Sequence, residues 1–106
     1  MRLTLATRHA NPDFMPLALL YLKAALVEHG GLAADSVPIA EFGRTASGEE
    51  IANQLLAGDP DVIGLSCYVW NGRALLDAAR RIRTARPDIR IVLGGPEVGP
   101  VADDVL

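Results

Sequence analysis

Val62-Ile63-Gly64-Leu65-Ser66-Cys67-Tyr68 is a nearly continuous apolar run that follows the turn Asp59-Pro60. A run of this length, rich in β-branched residues and closed off by turn chemistry, reads as a strand buried on both faces. Such strands belong to parallel sheets covered by helices, so this stretch predicts an α/β domain. Working outward, Ser47 with Glu50 three residues later forms a capping box, and Ile51, Leu55 and Leu56 give the helix after it an apolar stripe. Gly58 closes that helix. On the other side Asn71 can cap a helix over Gly72–Ala85, with Leu75, Ala79 and Ile82 facing inward.

The flanks repeat the alternation. Arg2–Thr7 reads as a first strand, and Pro16 suits the first helical position ahead of a helix over Leu17–Glu28. Gly30-Gly31 would end that helix in a left-handed cap. Val37–Glu41 reads as a second strand, at an edge, because Pro38 cannot donate to a ladder. Ile89–Leu93 is a fourth strand, followed by Gly94-Gly95-Pro96-Glu97, and Val101–Leu106 begins one more helix. The order βαβαβαβ with short links predicts a doubly wound, Rossmann-like (flavodoxin-like) parallel sheet with right-handed crossovers. Four strands are visible where such a domain usually has five. We therefore expect residues 1–106 to be an incomplete domain, with the fourth strand an exposed edge open to self-association.

Bulk properties narrow the function classes. The chain has 106 residues, half of them apolar, 22% charged and a net charge of −3. That balance excludes disorder and offers no basic surface for nucleic acid. The single cysteine, Cys67, rules out a disulfide framework and fits a reducing cytoplasm. No signal peptide is readable, and the longest apolar run, Leu17–Leu22, is too short to span a bilayer.

In open α/β sheets ligands sit at the carboxyl ends of the strands, where strand order reverses. Three loops therefore matter: 8–15, 68–72 and 94–99. The first carries Arg8, Asn11 and Phe14. The second offers Ser66 at the strand end, then Tyr68, Trp70 and Asn71. The third opens with Gly94, Gly95 and Pro96, and glycine there lets a ligand approach or supplies a left-handed turn. The set describes a narrow cleft for a ligand tail beside a partly aromatic rim for a flat ligand. Gly94-Gly95-Pro96 also has a plain reading as a strand exit, Ser66 as a satisfied core hydroxyl, and Tyr68 and Trp70 as packing under the first loop. Cys67 reads foremost as a small core residue. His29 near a helix end suits the dipole. Arg80, Arg81, Arg83 and Arg86 read as a solvated helix face, with Asp77 four residues before Arg81. Glu41 and Glu97 are single carboxylates. No acid–base pair, activated nucleophile or metal-ligand cluster is visible, and neither G-x-G-x-x-G nor a P-loop is present.

Two stretches, Asp61-Val-Ile-Gly-Leu-Ser-Cys-Tyr-Val-Trp-Asn71 and Val92-Leu-Gly-Gly-Pro-Glu-Val98, resemble the cobalamin-binding domains that precede radical-SAM domains. Thr7-Arg-His-Ala-Asn-Pro12 before a Leu-rich helix is similar to that group's first loop, and 25 residues separate Ser66-Cys67-Tyr68 from Gly94-Gly95. The resemblance covers nearly the whole chain. It implies that Ser66, Gly94 and Gly95 line a groove for the nucleotide tail of cobalamin, with Arg8, Asn11, Cys67, Tyr68, Trp70, Asn71, Pro96 and Glu97 around the corrinoid. The Asp-x-His-x-x-Gly loop of the mutase branch is absent, because Thr7 stands in the aspartate position and Ala10-Asn11-Pro12 follow His9. One cysteine cannot hold a [4Fe-4S] cluster. The resemblance thus places the iron–sulfur cluster and S-adenosylmethionine in a radical-SAM domain beyond Leu106, and it implies no catalytic residue here. A non-catalytic interaction module and a flavin- or nucleotide-binding domain are the other functions this architecture allows.

Overall fold

The computed structural model describes residues 1–8, 17–66 and 72–94. Its elements are β1 (Leu3–Arg8), α1 (Leu17–Glu28), a 3-10 turn (Ala34–Ser36), β2 (Ile39–Phe42), α2 (Gly48–Ala57), β3 (Val62–Ser66), α3 (Gly72–Ala85) and β4 (Arg90–Gly94). The four strands form one parallel sheet in the order β2-β1-β3-β4. This is the doubly wound arrangement expected from the alternation of elements. Strand order reverses between β1 and β3, so the switch point lies there.

Both flanking helices with the clearest boundaries, α1 and α3, occupy their expected ranges. Three strands are displaced by one or two residues. β1 and β4 run one residue further than expected, to Arg8 and Gly94. β2 starts at Ile39, because Pro38 has no N–H to give; its carbonyl still accepts from the Leu5 N–H at 2.9 Å. The expected edge position of this strand is observed, since β2 pairs with β1 alone. The 3-10 turn before it was not expected. In it the Ser36 hydroxyl donates to the Ala33 carbonyl at 2.7 Å, a local bond that competes with longer helix.

Turn chemistry explains the helix ends. Ser47 caps α2 by accepting from the Glu50 N–H at 3.1 Å, and its hydroxyl donates to the Glu50 carboxylate at 3.3 Å. Gly31 takes a φ of 73° after α1, as a left-handed stop requires. Gly58 caps α2 but stays right-handed; the left-handed residue is the next one, Asp59, with φ 49°. Asp is among the few side chains that tolerate this region.

Two hydrophobic clusters flank the sheet. On one face Ala6, Ile63 and Leu65 pack with Ile51, Ala52 and Leu55 of α2 and with Leu75, Ala78, Ala79 and Ile82 of α3. On the other, Leu5 packs with Leu19 of α1 and with Val37, supported by Leu3, Leu26, Leu32 and Ile39. Alternation along a strand assigns Leu5, Val62, Gly64 and Ser66 to this second face. β3 is therefore fully covered on the α2/α3 side and only half-covered on the α1 side, where Val62 and Gly64 remain partly exposed. The expectation of burial on both faces is corrected to this extent. Arg86 also departs from expectation. It lies outside α3 and forks onto Asp88 at 3.0 Å while reaching Asp59 at 3.1 Å, joining the α2–β3 and α3–β4 turns. Asp77 and Arg81 form the expected pair at 3.0 Å.

Candidate functional site

The carboxyl ends of the strands bring three of the expected residues to one edge. Arg8 ends β1, Ser66 ends β3 and Gly94 ends β4. Ser66 and Gly94 are direct partners in the parallel register. Two residues 28 positions apart in sequence thus lie side by side, and alternation sets both on the α1 face of the sheet. Asn11, Cys67, Tyr68, Trp70, Asn71, Gly95, Pro96 and Glu97 lie outside the described residues.

The register adds two residues that the sequence reading left without a role. β1 pairs with β3 through Ala6 and Leu65, so one further step sets Thr7 beside Ser66. Thr7 is 3% exposed and Ser66 8%, so both hydroxyls are buried at the strand ends. One row deeper on the same face lies Gly64, paired with Leu5. A Cβ on Gly64 would come within 2.9 Å of the Leu5 Cδ2 atom, so a side chain there would have to displace the end of Leu5. The signal for both was period-2 alternation counted back from Ser66, but it becomes informative only once the pairing register is known.

Gly94 differs from Gly64. It is exposed, its φ is not left-handed, and a Cβ built on it would meet nothing nearer than the Leu65 carbonyl at 4.0 Å among the described residues. Neither backbone strain nor internal packing among these residues calls for glycine at this position. The side chains beside it on the α1 face of β3 and β4 are small, Gly64, Ser66 and Gly94, with Val92 54% exposed next to them. This strip of small residues, next to the switch point, has the shape requirement of a slot for an extended ligand segment.

Arg8 is held differently from a free ligand-binding arginine. Its Nε donates to the Ala46 carbonyl at 2.9 Å, and Nη2 donates to the Arg44 carbonyl. The partners belong to the turn between β2 and α2, so Arg8 ties the carboxyl end of β1 to that turn.

The profile of the B12 binding domain family matches residues 3–106. The chain belongs to the B12-binding domain family. Two curated proteins share shorter stretches with this B12-binding domain. The 2-(S-pantetheinyl)-carbapenam-3-carboxylate methyltransferase of Streptantibioticus cattleyicolor is 50% identical over 40 residues, which is 38% of this chain and 6% of that protein. The cobalamin-dependent radical SAM methyltransferase TokK of Streptomyces tokunonensis is 40% identical over 50 residues, 47% of this chain and 7% of that protein. Among solved structures, a cobalamin-binding protein from Desulfitobacterium hafniense superposes with a TM-score of 0.60 at 16% identity, covering 98% of this chain and 50% of that one. That likeness shows a shared fold. The B12-binding domain thus corresponds to half of the solved chain, and its matched stretches are a small part of the two methyltransferases. No helix among the described residues is long and apolar enough to cross a membrane.

Proposed function

We propose that this domain holds cobalamin for a radical-SAM methyltransferase of which it is one part. The nucleotide tail would enter along the strip of small residues on β3 and β4, held by Ser66, Gly94 and Gly95. The corrin would be held at the carboxyl edge by Asn11, Cys67, Tyr68, Trp70, Asn71, Pro96 and Glu97. The observation that carries this reading is the Ser66–Gly94 pairing beside the switch point, where glycine serves no internal packing among the described residues. Family membership says which ligand class such a strip serves.

When bound, cobalamin supplies a cobalt centre able to carry a methyl group; the chain's own residues hold and orient it. Small side chains admit the tail, and the buried Ser66 and Thr7 hydroxyls offer polar contacts beside it. The name of TokK, a cobalamin-dependent radical SAM methyltransferase, supports a radical-SAM partner domain on the same polypeptide, which would contribute the [4Fe-4S] cluster and S-adenosylmethionine. The lone cysteine goes with a cytoplasmic setting.

The test is corrinoid retention. Full-length protein incubated with hydroxocobalamin and desalted should keep the corrin absorbance in about a one-to-one ratio. Gly94→Trp should abolish retention while leaving the circular dichroism and melting temperature near those of the parent, because a Cβ at this position meets no described atom nearer than 4.0 Å. Absence of corrinoid in the full-length protein would sink the reading, and so would unchanged retention in Gly94→Trp.

A further inference from the structure

Arg8 stands at the carboxyl end of β1, beside the switch point, yet its guanidinium is committed to the protein. Two of its acceptors are 36 and 38 residues away in sequence, the carbonyls of Arg44 and Ala46. Both belong to the tight turn that leaves β2, closed by the Ala46 N–H donating to the Gly43 carbonyl at 3.0 Å. Ser47, the cap of α2, comes next, and Ala46 packs against the α2/α3 core. A turn exposes carbonyls that its own hydrogen bond cannot use, and a charged donor satisfies them with more strength than a neutral one. The planar fork fixes the direction of both carbonyls, which a lysine could not do.

We propose that Arg8 is a positioning residue. It holds the β2–α2 turn at the carboxyl edge of the sheet, and through that turn sets the wall of the cofactor site, without touching the cofactor. The corrinoid part of this inference rests on the function proposed above; the clamp itself does not.

The Arg44 carbonyl held by Arg8 is the scissile carbonyl of a tryptic site, Arg44–Thr45, so the clamp has its own readout. In cofactor-free full-length protein, Arg8→Gln should raise the rate of cleavage at this bond, followed by mass spectrometry, about tenfold or more, and Arg8→Lys by less. An unchanged cleavage rate in Arg8→Gln would overturn the clamp. Corrinoid release is then compared for cobalamin and for cobinamide, which keeps the corrin and lacks the nucleotide tail. A positioning role predicts that Arg8→Gln speeds release of both by a similar factor, with Arg8→Lys intermediate. Loss confined to cobalamin would make Arg8 a direct tail contact, and unchanged release of both would leave it a structural clamp alone; either result overturns the proposal. Parent protein that retains no corrinoid refutes the cofactor reading, and with it the positioning role, while the cleavage arm still decides the clamp.

Discussion

The two faces of the sheet are built to different standards. The α2/α3 face is a continuous core in which Ile51, Ile63, Leu75 and Ile82 are completely buried. The α1 face has a smaller cluster around Leu5, Leu19 and Val37, and beyond it the described strands present Gly64, Ser66, Val92 and Gly94. α1 itself is apolar nearly all round, yet Leu20, Tyr21 and Leu22 are exposed. One face is closed by packing. The other is left low at the end where the strand order reverses, which is where a ligand of this fold belongs. Stability is thus invested mainly on one side of the four strands, and the proposed binding strip lies on the other.

The largest expected effect tests that allotment directly. Leu75→Ala empties a fully enclosed site and should cost about 3 kcal/mol, whereas Leu19→Ala, on the thinner face, should cost about 2 kcal/mol or less. Chemical denaturation of the two variants measures both. Equal losses would mean that the α1 face is as tightly enclosed as the other, and the contrast would fall.

A smaller effect concerns the strip of small residues itself. Gly64→Ala sets a methyl group 2.9 Å from the Leu5 Cδ2 atom, and Leu5 is itself only 2% exposed, so it has little room to give. We expect a loss of about 1 kcal/mol from this overpacking. Leu5→Val removes the opposing Cδ atoms. In a double-mutant cycle it should recover part of the cost, as neighbours in contact do. Additive losses would show that Gly64 is required for some reason other than Leu5.

This contrast also explains how much was legible beforehand. The helices were readable because their signals are local: Ser47 and Glu50 sit three apart, and Leu75, Ala79 and Ile82 recur at helical spacing within α3. The parallel sheet followed from alternation and crossover rules, and the edge position of β2 from Pro38. The site was readable only in part. Ser66 and Gly94 were identifiable as strand ends, but their direct pairing depends on register, which no short stretch encodes. Thr7 and Gly64 gained a place only through that register. Arg8 was expected to meet the cofactor, and its observed partners lie beyond the reach of any spacing argument, on a turn 36 to 38 residues away. The same holds for Arg86, which looked like one more arginine on a helix face and instead joins two turns.

That arginine sets the smallest prediction, which concerns the turns serving the α2/α3 layer. Its hydrogen bonds to Asp88 hold the Asp88 carboxyl below its ordinary value of 3.8, and Asp88 and Asp59 together push the Arg86 guanidinium up. A folded-state value below the unfolded one means that the unfolded chain binds more protons in acid. The stabilisation from Asp88 is therefore fully present above the unfolded value and disappears as pH falls through the lower folded value. Arg86 remains charged throughout, so the loss belongs to the carboxylate. Asp88→Asn should lower the melting temperature slightly at neutral pH and converge with the parent below about pH 4, which flattens the acid limb of the profile. Because the side chains of Arg86 and Asp88 are 40% and 67% exposed, the difference should be small and should shrink further with added salt. A salt-insensitive difference of core-mutation size would instead mean that these turns are integral to the α2/α3 packing, so that the well-built face owes its strength to its polar ends as well as to its apolar middle.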